Sequence, residues 1–336
     1  MKKTKESKDE QESESEFLAW KKAKTIDKKS ADKSKKEESF VPGVSEKQTA
    51  ENLAKARAID PFKSKKAAAE YTDAQIQHLD ALSHIRLRSG MYIGRLGDGS
   101  NQNDGIYILL KEIIDNSVDE FIMGFGNRID VSIENNIVSV RDFGRGIPLS
   151  KVVECVSEIN TGAKYNDDVF QFSVGMNGVG TKAVNALSSH FRVVSVRDGN
   201  FTDAIFSKGR LISQKSGALK NMQANGTYFE FQPDEEIFGK YSFNLEFVEK
   251  RLWNYAYLNT GLTIRFGGRD FTSENGLLDL LKSEIESESI YKIGSYRGEH
   301  LQFAFTHTNA YGENYFSFVN GQYTSDGGTH LSAFKE

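Results

Sequence analysis

One stretch of the chain, residues 104–123, combines an apolar stripe with a row of acidic and amide side chains. At about 100° per residue, Glu112, Asn116 and Asp119 fall on one helical face, while the apolar residues occupy the other. An amide oxygen suits Mg²⁺, a hard cation that also binds phosphate oxygens, and Glu112 has the chemistry to deprotonate or orient a water. Taken alone, the row is more typical of a solvated acidic face.

A second motif, Asp142-x-Gly144-x-Gly146, follows a predicted strand and is closed by Pro148. Its glycines allow the backbone to approach a flat ligand closely. A carboxylate at the end of a strand can accept a hydrogen bond from an exocyclic amine, such as that of adenine. By itself the pattern fits an ordinary glycine-rich turn equally well.

A third motif is a glycine-rich segment, residues 175–180, that leads into a predicted helix. Backbone N–H groups of such a loop at a helix N-terminus bind phosphate. The spacing of Gly175 and Gly180 fits a P-loop, but Thr181 precedes Lys182, the reverse of the P-loop order, and no strand leads into the segment. It is therefore either a phosphate loop of another kind or a flexible hinge. The three motifs together, in this order, indicate a nucleotide site.

Periodicity predicts the elements that position these motifs. Helices are predicted over 73–83, 104–123, 149–159, 181–187 and 247–258, and strands over 128–134, 137–142, 191–196, 202–207, 227–232 and 262–266. Two further strands, 302–306 and 315–319, belong to a second, small domain that begins near residue 291. This order predicts an α/β sandwich with an antiparallel-rich sheet rather than a repeated βαβ unit.

Composition divides the chain of 336 residues in two. The first 70 residues carry a net charge of +4 and one glycine, whereas the remainder carries −8. The leading segment is predicted to be a disordered, charged extension. No apolar run is long enough to span a bilayer, and the charged beginning of the sequence does not resemble a secretory signal. The single cysteine, Cys155, excludes an internal disulfide framework and favours a reducing, cytoplasmic setting.

The three motifs resemble the nucleotide boxes of the ATPase superfamily shared by gyrase, Hsp90, histidine kinases and MutL. Finer detail is similar to the ATPase subunits of bacterial type IIA DNA topoisomerases, the gyrase B and topoisomerase IV B type. The segments that carry this resemblance are 89–94, 115–120, 144–148, 178–188 and 326–330. The phrases at 161–165 and 317–322 favour the topoisomerase IV type over the gyrase type.

The resemblance implies a Bergerat-type fold, a two-layer α/β (α+β) sandwich with a mixed, antiparallel-rich sheet. This ATP-binding domain would span 71–290, after the extension at 1–70, and the start of a transducer domain resembling ribosomal protein S5 would span 291–336. ATP and Mg²⁺ are the implied cofactors. Glu112 would be the general base, Asn116 would hold Mg²⁺, and Asp142 with Thr227 would bind adenine.

The remaining implied contacts involve the nucleotide and a second copy of the chain. Tyr71 would lie on an N-terminal arm that reaches into the ATP site of that second copy, and Lys164 would approach the phosphates from a lid. The other residues implied at the ATP site are Asp119, Gly144, Arg145, Gly146, Ile147, Asn177, Gly178, Val179 and Gly180.

The implied function is ATP-driven dimerisation that gates DNA strand passage, with relaxation and decatenation favoured over supercoiling. The implied partners are a second copy, a topoisomerase A-type subunit and DNA, in the cytoplasm at the nucleoid and away from membranes. The alternative is a non-catalytic nucleotide-binding fragment, because the sequence contains no Gln-Thr-Lys loop and no TOPRIM domain. We therefore expect an N-terminal piece of a longer subunit or a truncated product, in which ATP binding is retained better than hydrolysis.

Overall fold

The framework of the protein is an eight-stranded mixed sheet with the strand order β5-β4-β3-β6-β2-β1-β7-β8. The computed structural model describes residues 79–161, 174, 178–221, 223–285, 287–298, 300–324 and 326–336. The strands of this sheet are β1 Arg128–Glu134, β2 Ile137–Asp142, β3 Ser188–Arg197, β4 Asn200–Ser207, β5 Arg210–Ala218, β6 Gly226–Pro233, β7 Thr263–Phe266 and β8 Arg269–Phe271. All neighbours pair antiparallel except β1 and β7, which are parallel. The sheet is thus mixed and antiparallel-rich, as predicted.

The β1–β2 hairpin matches its prediction because β1 alternates strictly between apolar and polar residues and a polar turn follows it. Asn135 and Asn136 form the turn with φ of 53° and 61°. Two consecutive positive φ values are those of a type I′ turn, whose twist matches the flanking strands. The hairpin delivers Asp142, the last residue of β2, to one end of the sheet.

Helices cover one face of the sheet and complete the two-layer sandwich. In chain order, the helices of the described residues are α1 Ala81–Leu87, α2 Ser89–Ile93, α3 Gly105–Ile122, α4 Val152–Ser157, α5 Gly180–Ala186, α6 Glu235–Phe238, α7 Leu245–Leu258, α8 Leu277–Glu284 and α9 Thr329–Lys335, of which α9 belongs to the second set of elements described below. Helix α3 contacts β2 and β6, and α5 contacts α3 and β3. The apolar stripe of α3 is fully buried in the core: Ile106, Leu109, Leu110, Ile113, Ile114 and Val118. The other face of α3 is therefore the one that carries the predicted chemistry.

The inward face of the sheet changes from apolar to polar at one end. Two apolar rows cross the strands, Val138–Phe231–Phe191–Phe206 and Val140–Phe229–Val193–Ala204. The next row in the same register contains Asp142, Thr227, Ser195 and Thr202, all of them buried. A buried polar row must have hydrogen-bond partners or a ligand, so this end of the sheet is where a site is expected.

The second set of elements consists of two short hairpins and a helix. They are β9 Gly294–Arg297 with β10 Gln302–Phe305, β11 Phe318–Val319 with β12 Gln322–Tyr323, and α9. The strand predicted over 315–319 is therefore limited to its last two residues. Within the described ranges, no helix has both the length and the apolar character needed to cross a membrane.

Two helix predictions need correction. Helix α1 begins at Ala81 rather than before residue 79, because the Asp80 carboxylate caps it by accepting from the N–H groups of Leu82 and Ser83 at 3.1 and 3.0 Å. The rest of the predicted helix, 73–78, lies outside the described residues. The helix predicted over 149–159 is a 3₁₀ turn, Leu149–Lys151, followed by the shorter α4.

Candidate nucleotide site

The Glu112 carboxylate lies directly against the first residue of α5. A Cβ atom built on Gly180 would come within 1.8 Å of Glu112 Oε2. The Glu112 side chain is 26% exposed, and the Lys111 ammonium lies 3.5 Å from its Oε1. The predicted base therefore stands, accessible to solvent, beside the loop predicted to hold phosphate.

Asn116 connects the same helix to α5 through its amide nitrogen. Nδ2 donates to the Glu112 carbonyl at 2.8 Å and to Thr181 Oγ1 at 2.9 Å. Because the amide nitrogen donates both of these hydrogen bonds, Oδ1 is the amide atom suited to a cation. A single neutral oxygen fits Mg²⁺, which takes its other ligands from waters and phosphates. No group of three or more His, Cys, Asp or Glu side chains in the described ranges forms a metal cluster.

Two carboxylates on α3 contradict the alternative of a solvated acidic face. Asp115 and Asp119 are each only 1% exposed. Asp119 Oδ1 accepts from the Val174 N–H at 2.6 Å. Asp115 accepts from Lys111 Nζ at 2.6 Å and from the Tyr255 hydroxyl. Buried charges need such partners, and the hydrogen bonds of Asp115 and Asp119 fix the position of α3 around Asn116.

Asp142 is almost fully buried at the polar end of the sheet. Its Oδ1 accepts from the N–H groups of Gly144 at 2.9 Å and Thr227 at 3.0 Å. Burial raises the pKa of this carboxyl above its ordinary value, although the Arg141 charge and the two N–H donors oppose the rise. Because both donors meet Oδ1, Oδ2 is the oxygen with which the carboxyl would accept a base amine.

The turn after Asp142 requires glycine at two places. Gly146 has φ of +76°, and a Cβ there would come within 2.7 Å of the Val196 carbonyl oxygen. A Cβ on Gly144 would meet the Glu120 side chain at 2.7 Å. The turn is also tied to β3, because Ser195 Oγ donates to the Ile147 carbonyl at 2.6 Å. It is thus a close-packed turn rather than a freely variable loop.

Arg145 is held to α3 by a residue that was not predicted as part of the site. Its backbone N–H and Nε donate to Glu120 Oε2 at 2.8 and 3.1 Å, and Nη2 donates to Oε1 at 2.9 Å. This hydrogen bonding raises the pKa of the Arg145 guanidinium, which also lies 4.3 Å from the Phe125 ring centroid. The signal for Glu120 was present, since it follows Asn116 by four residues and shares its helical face.

The start of α5 differs from a P-loop in what its lysine does. Lys182 is buried, and its Nζ donates to the carbonyls of Thr161 and Gly178 at 2.7 and 2.6 Å. It therefore ties together the chain on either side of 162–177 instead of projecting toward a ligand. Gly178 has φ of +61° and Val179 precedes the helix. The phosphate roles of residues 178–180 stay predictions.

The structure therefore brings the predicted residues together in two groups linked by α3. One contains Glu112, Asn116 and Gly180, and the other contains Asp142, Thr227 and the turn at 144–147. Glu120 connects the second group to the helix that carries the first. Three predicted contacts lie outside the described residues: Tyr71, Lys164 and Asn177.

Two family models match the chain. The model described as histidine kinase-, DNA gyrase B- and HSP90-like ATPase matches residues 101–237, and the model described as DNA gyrase B matches residues 272–336. The first match contains α3, the Asp142 turn and the start of α5. The second contains the hairpins and α9.

Individual relatives agree with these models. The B subunit of DNA topoisomerase 4 from Borreliella burgdorferi is 62% identical over 267 residues, which cover 79% of this chain and 44% of the relative. The B subunit of DNA gyrase from the same organism is 35% identical over 288 residues, again 79% and 44% of the two chains. A crystal structure of the 43K ATPase domain of Thermus thermophilus gyrase B, in complex with an aminocoumarin, matches with a TM-score of 0.62 at 29% identity, covering 76% of this chain and 70% of that one.

The chain spans less than half the length of these two curated relatives. Within that span, the sheet, the buried carboxylates and both family matches agree with each other. The fold is that of the gyrase B ATPase domain, followed by the start of a transducer domain. This chain belongs to the family of ATPase subunits of bacterial type IIA DNA topoisomerases, which includes gyrase B and topoisomerase IV B.

Proposed function

We propose that this chain binds and hydrolyses ATP as the nucleotide module of a topoisomerase IV-type B subunit. The observation that carries the proposal is the contact of Glu112 with Gly180, beside the Asn116–Thr181 hydrogen bond. A solvent-accessible carboxylate is thereby placed next to a loop and helix start whose N–H groups suit phosphate. This is the arrangement that hydrolysis of a terminal phosphate requires.

Glu112 would accept a proton from the water whose oxygen attacks the γ-phosphorus, and ADP would leave. The N–H groups of residues 178–180, with Asn177 and Lys164, would bind the phosphates and fix the direction of attack. Asn116 Oδ1 would hold Mg²⁺, with Asp119 fixing the adjacent turn of the helix. When bound, Mg²⁺ neutralises charge on the phosphate oxygens.

The adenine would lie at the polar end of the sheet. Asp142 would accept a hydrogen bond from the amino group of the base, and Thr227, beside it, would complete the adenine contact. Gly144, Gly146 and Ile147 would form the wall of the pocket, which Arg145 secures through its ion pair with Glu120. A buried acceptor that is left unpaired costs free energy, so this pocket would favour a base that carries an amine.

The comparison of the two Borreliella relatives supports the topoisomerase IV type. Over spans of similar length, identity is 62% to the topoisomerase 4 protein and 35% to the gyrase protein of one organism.

The proposed process is strand passage that relaxes or decatenates DNA, with an A-type subunit and DNA as partners, at the nucleoid in the cytoplasm. Dimerisation would use an N-terminal arm that carries Tyr71. The proposed domains are 1–70, 71–290 and 291–336.

The test compares ATP turnover by the wild type, Glu112→Ala and Glu154→Ala at several protein concentrations, together with binding of a non-hydrolysable ATP analogue. Glu154 is the matched control, since it is a partly exposed glutamate that pairs with Lys151. Only Glu112→Ala is expected to lose turnover while keeping analogue binding. Equal rates for all three would refute the assignment of the base. Binding without any turnover in the wild type would support a non-catalytic nucleotide-binding role instead.

A further inference from the structure

Gln322, on the β11–β12 hairpin, contacts the nucleotide helix α3 with its side chain. Its Nε2 donates to Asp115 Oδ2 at 3.2 Å and, over a longer distance of 3.4 Å, to the Val174 carbonyl. Gln322 and Asp115 are 207 residues apart in the sequence, so this is a tertiary contact between the two family-matched segments. Neither the general base nor the adenine pocket requires it.

The backbone of Val174 is held on both sides. Its N–H is bound by Asp119 Oδ1 at 2.6 Å, and its carbonyl accepts from Gln322. Gly321 packs on the same residue, because a Cβ there would lie 3.3 Å from Val174 Cγ2, and its φ of +75° favours glycine. Gln322, Asp115, Val174 and Asp119 thus form one connected set, which we call the hairpin clasp.

The clasp surrounds Asn116 in the sequence of α3. Asp115 is adjacent to Asn116, and Asp119 lies three residues, nearly one turn, after it. Asp115 is further fixed by Lys111 and by the Tyr255 hydroxyl of α7. A displacement of either carboxylate would therefore also displace the proposed Mg²⁺ ligand, Asn116, and the hairpin.

At its other end the hairpin is fastened to α9. His330 Nε2 lies 3.1 Å from Ser317 Oγ and 3.2 Å from Thr324 Oγ1, and the two hydroxyls are bonded to each other. The hairpin is thus attached to the last helix at its open end and to the nucleotide helix at its turn. Such an element can transmit a displacement between the two.

We propose that Gln322 is a positioning residue that couples the hairpin to occupancy of the nucleotide site. This inference rests on the proposed function, since it requires ATP to bind against α3. Coupling between two sites is reciprocal. Nucleotide binding therefore stabilises the hairpin, and an intact hairpin contact strengthens nucleotide binding.

The experiment measures hydrogen exchange of the full chain over residues 317–324, with and without a non-hydrolysable ATP analogue and Mg²⁺. It also measures the Kd of that analogue. In the wild type, the analogue slows exchange of the hairpin. In Gln322→Leu, which removes both donated bonds, this slowing is lost and the Kd rises by about threefold to tenfold, the usual effect of one or two hydrogen bonds.

Two variants control for a merely structural effect. Gln322→Lys keeps a donor of similar reach, and it retains the nucleotide-dependent slowing. Tyr323→Phe alters the next residue of the same strand, whose side chain is 49% exposed and packs on the Phe318 ring. It behaves as the wild type does. If Gln322→Leu fails to fold, Gln322→Glu replaces it, because its carboxylate repels Asp115 while keeping the length of the side chain.

The outcomes separate this inference from the proposed function. A wild type that does not bind the analogue refutes the proposed function. A wild type that binds it without any change in hairpin exchange overturns the coupling alone. The coupling is also overturned if Gln322→Leu responds as the wild type does, or if Gln322→Lys and Tyr323→Phe lose the response to the same extent as Gln322→Leu.

Discussion

Substituting Gly180 by alanine should displace Glu112, the proposed base, without unfolding the protein. The added Cβ would lie 1.8 Å from Glu112 Oε2, 2.6 Å from Cδ and 3.0 Å from Cγ. All three atoms belong to the end of a flexible, partly exposed side chain, so the carboxylate moves and the backbone does not. To reach an ordinary contact of 3.4 Å, Oε2 must retreat by about 1.6 Å.

The expected effect on turnover is much larger than the expected effect on the free energy of unfolding. A misplacement of about 1 Å in a reacting group costs roughly 10²-fold in rate, which corresponds to about 2.7 kcal/mol in the activation free energy. The free energy of unfolding changes much less. Alanine in place of glycine in a helix stabilises by about 0.5–1 kcal/mol, and an unfavourable Glu112 rotamer costs about the same. We therefore expect Gly180→Ala to lose turnover by roughly 10²-fold while its unfolding free energy stays within about 1 kcal/mol of the wild type.

The assay is single-turnover hydrolysis of radiolabelled ATP with protein in excess, paired with urea unfolding. Gly90→Ala is the matched control, because Gly90 also lies in a helix and a Cβ there would meet nothing within 4 Å. This control should keep its turnover. If Gly180→Ala hydrolyses ATP at the rate of the wild type, the contact between Glu112 and Gly180 does not position the proposed base, and the prediction is refuted.

Four further predictions concern buried and partly buried polar groups. Asp142→Asn should weaken ATP-analogue binding by at least about tenfold, because the new amide presents a donor to the base amine. Burial raises the pKa of Asp142 above 3.8. Its contribution to the free energy of unfolding is therefore greatest in acid and declines as the pH rises through the folded-state pKa. Urea unfolding measured from pH 4 to pH 7 should show this decline in the wild type and not in Asp142→Asn. Tyr255→Phe removes a donor from a buried carboxylate and should lower the unfolding free energy by about 1–3 kcal/mol, whereas Tyr257→Phe, on the exposed side of the same helix, should change it by less than about 0.5 kcal/mol. Arg145→Ala and Glu120→Ala should each weaken binding of the ATP analogue. Because the two side chains form one ion pair, the double variant should bind the analogue no more weakly than either single variant. A binding titration that shows additive losses would contradict this prediction.

The elements best predicted from the sequence are those in which burial imposes a pattern on one face. Helix α3 has an apolar stripe against the sheet, and β1 alternates strictly between apolar and polar residues. Strand β5 was missed because it is an edge strand exposed on nearly every residue, so no alternation is imposed on it. Helix α8 was also missed, although the leucines at 277, 278, 280 and 281 form a detectable signal.

The residue types of the site were predicted, but many of their partners were not. Glu112, Asn116 and Asp119 could be placed on one face because helical geometry relates residues that are close in sequence. The partners that fix them come from distant segments: Thr181 binds Asn116, Tyr255 binds Asp115, and Gln322 reaches α3 from the hairpin. Periodicity carries no information about such contacts, because it describes one element at a time.

The polar row at the end of the sheet, where adenine is proposed to bind, shows what a local pattern lacks. Along β2 the inward residues are Val138, Val140 and then Asp142, and the same change from apolar to polar occurs at Thr227 on β6 and Ser195 on β3. Each change alone resembles the fraying end of a strand. Only the register, which aligns the three at one level and joins two of them by a hydrogen bond, turns them into a single buried polar surface. Where several neighbouring strands replace apolar residues by polar ones at the same level, the fold loses apolar packing at a place that can bind a ligand. The register of neighbouring strands, more than the residue types themselves, is therefore the information that separates a motif from a site in this protein.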